Sequence, residues 1–529
     1  MSTEGKALFE GEIARRLAEF RRLRERGALC SSVTEQLSEE AADGFLNHFR
    51  IQGGYLRDAI TLLAEIATLD ESCLSEPGQP PSFPMLVERL SDSFDPQFCP
   101  LYDRAFAQMI GYCRRLPGAK ELDATLRSFG LLEERDFLDR KARLKGHGPL
   151  ADRHEQQRIR KVLLLSRVTL GADVAVTSVM LQKAKEVFPQ AERILLGSSK
   201  LPQLFGGDSS LRIHEVRYES AGGLLARLQS WLPLLAAVEE EKDGLAEGEV
   251  IVIDPDSRFL QLGLLPVLGD ESRYFFFGSR GLPGPGSLSR IAGDWLNATF
   301  GGEDTFSPAV WLQEKDFQFG GAVCRRLRQG GNRHLVTASF GVGGNPQKRV
   351  PDPFEEQLLL RLLESGSAVM LDKGFGEDEL GRASRLVERV RAAGWKVMEM
   401  DSSFRFPQGS SRLSGCHLLT WEGEIGAFSG LIAASDEYVG YDSAGQHIAA
   451  ALGIHAADIF AGPSFPVFRE RWHPIGPGPG RTTVLVAPDP SEGEAAGEAF
   501  LASLLAVHAK NRARSDAGTS ISSFRLATH

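Results

Sequence analysis

Short apolar runs that alternate with longer amphipathic stretches from residue 161 onward constrain the fold of this chain more than any other feature. A run such as Val162–Leu165 is too short for a buried helix and suits a strand of a parallel sheet. Further strands are predicted at 193–197, 211–216, 249–254, 274–277, 334–339, 367–371, 396–400 and 436–439. Helices are predicted at 174–188, 287–299, 353–364, 377–393 and 425–434. This alternation is typical of an α/β fold with parallel sheets.

The strand and helix pattern restarts near His334, after Pro- and Gly-rich turns at 281–286, which indicates two successive α/β units. The first 150 residues show only helical periodicity, as in Ile13, Leu17 and Phe20, which recur at spacings of three and four. At roughly 150 residues per domain, 529 residues predict about three domains. The predicted parts are a helical N-terminal domain at 1–150, a first Rossmann-like lobe at 155–325, a second at 330–510 and a flexible tail at 511–529.

Composition excludes several classes of protein. The chain has 42% hydrophobic and 25% charged residues, as ordinary globular proteins do, and its net charge of −10 argues against a nucleic-acid partner. Six cysteines are scattered without a C-x-x-C pair or a Cys/His group, so we expect reduced thiols and no zinc site built from them. The N-terminus lacks the order of a signal peptide and no stretch of about 18 apolar residues occurs, which predicts a cytoplasmic protein.

The strongest local motif runs from Tyr441 to Gly453, where a strand leads into an Ala-rich helix. Small residues at 443–445 allow backbone N–H groups and the positive end of the helix to face an anion, as in a diphosphate cradle. The alternative is an ordinary helix start, in which Asp442 or Ser443 caps the first turn.

The order Asp442-Ser-Ala-Gly-Gln-His447 resembles the Asp-(Ser/Thr)-Gly-x-x-His motif of the heptosyltransferases, which form glycosyltransferase family 9. The later segments Phe460-Ala-Gly-Pro-Ser464 and Trp472-His-Pro474 resemble further elements of that family in order and spacing. The resemblance implies a donor-sugar and diphosphate site built from the residues Asp442, Ser443, Ala444, Gly445 and His447. Ala444 stands where the family usually has glycine, which restricts the backbone there.

A second resemblance lies at the start of the first lobe, where Val162–Arg167 leads through Leu170-Gly-Ala-Asp173 into a helix that ends at Phe188-Pro189. The family's general base is the Asp of this turn, so the resemblance implies that Asp173 accepts the proton of an acceptor hydroxyl. Ala172 is one residue more than the family pattern has between its Gly and Asp. The alternative is that Asp173 caps the helix predicted at 174–188.

The loop Gly343-Gly-Asn-Pro-Gln-Lys348-Arg-Val-Pro351 resembles the family's Gly-rich loop, with Val350 in place of the usual Trp. By resemblance, Lys348 stabilises the departing nucleotide diphosphate, and Arg349 is positioned to share this role. The alternative is a solvated loop lysine. The implied nucleotide-sugar site also includes the residues Ser339, Asn345 and Glu379.

Three weaker patterns leave their alternatives open. Glu377 and Glu379 stand where the family often carries an acid near the ribose, although acids in a first helical turn commonly complement the helix dipole. The strand end at 254–258, with two aspartates and an arginine, is a candidate acceptor surface or an ordinary turn. The arginines between 15 and 26 predict either peripheral contact with the inner membrane or a salt-bridged helix face, which the interleaved glutamates favour.

Taken together, the resemblance covers about two thirds of the chain and implies the two-lobed GT-B architecture. It implies an inverting, metal-independent transferase that moves a sugar from a nucleotide-diphospho sugar, by resemblance ADP-heptose, to a glycan acceptor of the cell envelope. No cofactor is implied besides that substrate. Two other hypotheses stay open, which are a catalytically inactive module that binds sugar nucleotides or a partner, and a sugar-nucleotide epimerase.

Overall fold

The computed structural model describes residues 3–516 apart from 71–89, 91–92, 145, 220–222, 247, 283, 344, 404–412, 463–465 and 479. Parts of the predicted helical domain, 71–89 and 91–92, and residues 517–529 of the predicted tail lie outside the described residues.

Five parallel strands form the first sheet in the order β3-β2-β1-β4-β5. Its strands are β1 (Lys161–Leu165), β2 (Glu192–Gly197), β3 (Leu211–Glu215), β4 (Val250–Asp254) and β5 (Tyr274–Phe276). The sequence predicts all five to within about one residue. Strand β1 lies between β2 and β4, where the direction of winding changes, and α/β proteins bind ligands at the carboxyl ends of strands beside such a point.

The helices described before the second sheet either precede the first sheet or follow its first strand. Those before the sheet are α1 (Thr3–Glu25), α2 (Ser31–Gln52), α3 (Arg57–Ile66), α4 (Phe98–Cys113), α5 (Lys120–Ser128), α6 (Glu134–Leu144) and α7 (Arg153–Arg158). Those that follow are α8 (Leu170–Ala172), α9 (Ser178–Val187), α10 (Pro202–Phe205), α11 (Leu224–Gln229), α12 (Trp231–Lys242), α13 (Leu288–Phe300) and α14 (Glu314–Gln329). A π-helical turn, Asp173–Thr177, joins α8 to α9.

Seven parallel strands form the second sheet in the order β12-β11-β10-β6-β7-β9-β8. Its strands are β6 (His334–Ser339), β7 (Ser367–Asp372), β8 (Val397–Asp401), β9 (Leu418–Glu422), β10 (Glu437–Tyr441), β11 (His455–Phe460) and β12 (Thr482–Val486). Its helices are α15 (Phe354–Glu364), α16 (Glu377–Ala392), α17 (Ile425–Ala434), α18 (Ala444–Ala451), α19 (Pro466–Arg471) and α20 (Glu494–Asp516). Helix α20 runs beyond residue 510, where the second lobe was predicted to end, and buries Asn511.

The N-terminal helices share a hydrophobic core with the first sheet. Leu163 and Leu165 of β1 belong to the same buried cluster as Phe45 of α2 and Phe106 of α4. Polar contacts cross the same boundary, since Arg140 of α6 donates to the Gly263 carbonyl at 2.8 Å. The helices therefore cover one face of the sheet. The opposite face of β1, with Val162 and Leu164, packs in a cluster that also contains residues of the second sheet.

The arginines of α1 take part in ion pairs within the helical region. Arg16 contacts Glu19 at 3.2 Å and Glu40 at 2.8 Å. Arg21 lies 2.5 Å from Glu65, a buried residue of α3. These contacts favour the salt-bridged alternative for this helix face, and peripheral membrane contact stays a prediction. Among the residues described, each helix is too short or too polar to cross a bilayer.

Helices α14 and α17 approach each other closely at two glycines. A Cβ atom on Gly320 would lie 1.9 Å from the Gly430 carbonyl oxygen, and one on Gly430 would lie 2.0 Å from the Asp316 carbonyl oxygen. Helix α14 leads into β6, the first strand of the second sheet. The contact therefore fixes the position of α14 against α17 just before that strand begins.

We expect Gly320→Ala to destabilise the protein by about 1 to 3 kcal/mol, because the added methyl has to displace backbone. The matched control is Gly321→Ala on the same helix, where a Cβ meets nothing within 4 Å. The control should stabilise the helix by about 0.5 to 1 kcal/mol. Chemical denaturation of both variants measures the difference, and equal free energies of unfolding would show that the two helices are not in this contact.

Candidate functional site

Polar side chains gather where β6 and β7, the central strands of the second sheet, end. Ser339, the last residue of β6, donates from Oγ to Asp372 Oδ2 at 3.1 Å. Burial raises the pKa of Asp372 to about 6, although the Gly374 N–H and the Ser339 hydroxyl stabilise its charged form. Ser339 thus lies at the carboxyl edge of the sheet, as predicted, with its hydroxyl engaged by the neighbouring strand.

Glu379 holds together the two loops that follow these strands. Its Oε1 accepts the Val342 N–H at 2.9 Å, and its Oε2 accepts the Phe375 N–H at 2.8 Å. Glu379, Phe340 and Arg382 line a small depression, termed the cleft, beside Asp372. Glu379 therefore has a structural part in shaping the cleft, whether or not a ribose binds there. Glu377 lies in the same first turn of α16.

Lys348 and Asp442 come from separate motifs and form an ion pair. Lys348 Nζ lies 2.8 Å from Asp442 Oδ2, and Gln446 donates to Asp442 Oδ1 at 2.7 Å. Lys348 Nζ also lies 5.2 Å from the centre of the Phe468 ring. Its side chain is 32% exposed, so the ammonium stays within reach of solvent and of a ligand. Asn345 accepts the Gln347 N–H at 3.1 Å and so shapes the turn that presents the lysine.

The start of α18 is not closed by a side-chain cap. Ser443 is the N-cap residue in extended conformation, and its side chain makes no capping hydrogen bond. Asp442 directs its carboxylate to Lys348 and Gln446. The alternative in which either residue caps the helix is therefore wrong, and the positive end of α18 lies beside the Lys348 ammonium.

Two small residues of α18 are explained by protein contacts. A Cβ atom on Gly445 would lie 2.2 Å from the Tyr438 hydroxyl, so the aromatic ring beneath the helix requires a glycine there. A Cβ atom on Gly171, at the start of α8, would lie 3.1 Å from Ala444 Cα and 3.2 Å from His447 Cδ2. The two sheets thus meet where α8 and α18 begin, and Ala444 fits because its neighbour across the junction has no side chain.

His447 is buried beneath this junction. Burial lowers its pKa to about 4, so its imidazole is neutral near pH 7. Its ring lies 5.9 Å from that of Trp472, in an edge-to-face arrangement, which brings together two of the family-like segments. Arg167 lies 5.7 Å from the same indole ring, and burial lowers its pKa to about 10.

Asp173 connects the end of β1 to the first helical turns. It accepts hydrogen bonds from Ser166 Oγ at 2.7 Å, Arg167 N at 2.7 Å and Thr177 Oγ1 at 2.8 Å, and the side chain is fully buried. Burial raises its pKa to about 6 against the effect of these hydrogen bonds.

The expectation that a turn spans 170–173 and the helix starts at 174 is wrong. Helical structure begins at Leu170, so Asp173 lies inside the helix and is not its cap. A π-helical turn accommodates one residue more than an α-helical turn, and such turns are frequent at functional sites. The extra residue Ala172 lies in helical structure directly before the π-helical turn Asp173–Thr177. The additional residue of that turn is consistent with the longer spacing between Gly171 and Asp173.

The candidate acceptor surface at 254–258 is internal at its two aspartates. Asp254 accepts from the Tyr274 hydroxyl at 2.5 Å, and Asp256 pairs with Arg280 at 2.7 Å. Both aspartates are buried. The sequence analysis also missed Asp458 on β11, a buried carboxyl for which no hydrogen-bond partner exists in the described part of the chain. Burial and the nearby Asp442 raise the pKa of Asp458 well above its usual value.

Two parallel sheets with polar groups at the carboxyl ends of their central strands define an α/β protein of Rossmann-like topology. The sequence matches no protein-family profile and no curated protein at a significant level. The chain is similar in structure to glycosyltransferases of family 9. One is from Veillonella parvula, with 14% identity over 67% of this chain and 97% of that one and a TM-score of 0.47.

Two Escherichia coli enzymes are also similar. ADP-heptose lipopolysaccharide heptosyltransferase II has 15% identity over 66% of this chain and 99% of that one, with a TM-score of 0.43. Heptosyltransferase WaaC, solved with ADP, has 14% identity over the same shares and a TM-score of 0.43. Scores below 0.5 at such identities carry no argument about activity, so the case for a function depends on the site residues.

The burial of His447 has a consequence for stability. An unfolded histidine titrates near 6.5 and the folded one near 4, so protons bind preferentially to the unfolded chain below pH 6.5. Stability is therefore lost as the pH falls from 6.5 towards 4, by an amount on the order of 3 kcal/mol. We expect His447→Gln to lose less stability than the parent across that interval, as measured by denaturation at pH 7 and pH 4.5. The exposed His154→Gln serves as the control, and parallel curves for all three proteins would contradict a buried neutral imidazole.

Proposed function

We propose that this protein is an inverting, metal-independent glycosyltransferase of GT-B architecture. In this proposal it transfers a sugar, heptose by resemblance, from a nucleotide-diphospho sugar to a hydroxyl of a glycan acceptor in cell-envelope biosynthesis. The observation that carries the proposal is the Lys348–Asp442 ion pair, which lies at the uncapped start of α18. It brings a cation and a helix N-terminus together where a diphosphate would be held.

In this proposal Lys348 exchanges its partner, Asp442, for the diphosphate when the donor binds. Before the donor binds, Asp442 satisfies the Lys348 ammonium at 2.8 Å. A diphosphate carries more negative charge than one carboxylate, so it competes for the lysine while Asp442 keeps its hydrogen bond from Gln446. As the bond between the sugar and the phosphate breaks, Lys348 and the α18 N-terminus stabilise the charge that develops on the leaving group.

The nucleoside would extend from this point towards the cleft beside Glu379. Ser339 and Asp372 lie at the strand ends between the two regions, and Phe340 and Arg382 line the cleft itself. The cleft offers the Glu379 carboxylate, whose oxygens can each accept a further hydrogen bond from a ribose hydroxyl. The acceptor would bind on the side of the first sheet.

Asp173 is the proposed general base, and its burial sets a condition on the reaction. Its carboxylate is fully covered and accepts three hydrogen bonds. In this proposal an acceptor hydroxyl reaches it when the contact between Gly171 and Ala444 opens, since Gly171 lies only two residues before the aspartate. Opening of the junction is therefore part of the proposed cycle.

The same burial favours a second candidate function. If the junction stays closed, Asp173 only connects β1 to its helix, and the protein is a module that binds sugar nucleotides without transfer. Both functions use the Lys348 site to bind the sugar nucleotide. Only the transferase converts it to product. Retention of the sugar on the nucleotide with inversion at one carbon would instead indicate the epimerase.

Transfer should require Asp173 for proton removal and Lys348 for binding and stabilising the diphosphate. With a panel of nucleotide sugars that includes ADP-heptose, we expect Asp173→Asn to bind donor like the parent while transfer falls about 10²- to 10⁴-fold. Lys348→Ala should weaken binding of the nucleoside diphosphate and reduce transfer by roughly 10²-fold or more. The control is Lys185→Ala, an exposed lysine of the first sheet's α9. Donor binding without turnover in the parent, under every acceptor condition, would replace the transferase by the binding module.

The rate should also depend on pH. Because burial raises the pKa of Asp173 to about 6, kcat/KM should rise as the pH increases through 6 and level off above about 7. The same raised pKa has the opposite effect on folding, since the unfolded carboxyl ionises near 3.8 and stability is lost as the pH rises from 3.8 to 6. Steady-state rates from pH 5 to 8 test this, and a pH-independent rate would exclude Asp173 as the base.

A further inference from the structure

A buried cluster of two imidazoles and one carboxylate lies at the edge of the second sheet opposite the candidate donor site. His334 is the first residue of β6, Glu437 is the first residue of β10, and His508 projects from α20. Their exposed fractions are 1%, 0% and 2%. Strand starts and the long C-terminal helix meet here, whereas Ser339 and Asp442 lie at the opposite ends of β6 and β10.

The three side chains converge on one point. His334 Nε2 lies 3.2 Å from Glu437 Oε2, and His508 Nδ1 lies 2.6 Å from the same oxygen. All the potential ligand atoms lie within 4.8 Å of one another. Zinc binds nitrogen and oxygen at about 2.0 to 2.1 Å in tetrahedral geometry, which places neighbouring ligand atoms about 3.4 Å apart. Shifts below about 1 Å would bring these three atoms to that spacing.

One of the two outward-facing nitrogens, that of His508, has the surroundings of a metal-bound histidine. Histidine ligands donate their second ring N–H to a carboxylate, hydroxyl or carbonyl, which fixes the ring. His508 Nε2 lies 3.0 Å from Ser365 Oγ and 3.3 Å from Ser367 Oγ. His334 Nδ1 is buried without a hydrogen bond among the described residues, 3.9 Å from Asp436 Oδ2.

A fourth ligand is available next to the cluster. The Asn511 amide donates from Nδ2 to Glu437 Oε1 at 2.8 Å, and rotation of the amide by a half turn presents its oxygen instead. Two imidazoles, a carboxylate and an amide oxygen form a donor set that suits zinc better than calcium or magnesium, which prefer oxygen ligands alone.

We propose that His334, Glu437 and His508 bind one zinc ion, which ties α20 to the starts of β6 and β10. The ion is structural, because the cluster lies across the sheet from Lys348 and no step of sugar transfer uses it. The site was invisible in the sequence, since its ligands are separated by about 100 and 70 residues and form no local motif.

The test is the metal content of the full chain, purified without a histidine tag and dialysed against metal-free buffer. We expect about one zinc per chain in the parent by mass spectrometry, and less than a fifth of that in His508→Ala and Glu437→Gln. Glu437→Gln keeps an oxygen that accepts hydrogen bonds while it removes the carboxylate charge, so it remains informative if His508→Ala fails to fold. His154→Ala, an exposed histidine of α7, is the matched control and should keep the metal.

A second measurement tests the site even if the protein loses its metal during purification. Zinc added to protein stripped with a chelator should raise the melting temperature of the parent and not of Glu437→Gln. Cobalt should give the visible absorption of a tetrahedral site in the parent alone. A parent that holds no zinc, and that neither zinc nor cobalt alters after stripping, would overturn the proposal and leave a hydrogen-bonded Glu437 cluster in its place.

Discussion

The contact between Gly171 and Ala444 is the constraint on which the arrangement of the candidate site depends. It brings the first turns of α8 and α18 together at a distance that a Cβ on residue 171 would not allow without displacement. Each helix follows the central strand region of its own sheet, so the contact aligns the two carboxyl edges with one another. Asp173, His447 and Asp442 lie around this junction because each is within three residues of Gly171 or Ala444, and Lys348 is paired with Asp442.

Asp173 shows how burial changes both the basicity of a carboxylate and its contribution to stability. Its three hydrogen bonds hold the strand end of β1 against the helix that follows, and its burial brings its pKa towards neutrality. A group of this kind costs folding energy as it ionises and becomes a better proton acceptor near neutral pH for the same reason.

Much of the fold could be predicted because β1, β4 and β7 are buried strands whose centres are short continuous apolar runs. Strand β12 was missed since its residues are only partly buried and its sequence is less distinctive, and β11 was missed because Asp458 interrupts its apolar run. The pairing of Lys348 with Asp442 could not be predicted, because 94 residues separate them and nothing local encodes the contact. The roles of the site residues remain predictions, while their proximity is a property of the fold.

The shared core of the N-terminal helices and the first sheet has a consequence for synthesis on the ribosome. The helices up to Leu144 are made first, but β4, which completes their apolar partner surface, ends only at Asp254. At rates of roughly 5 to 20 residues per second, the emerging helices wait on the order of 5 to 20 seconds before that face exists. During this interval the apolar residues of these helices that pack on the first sheet lack their partner surface.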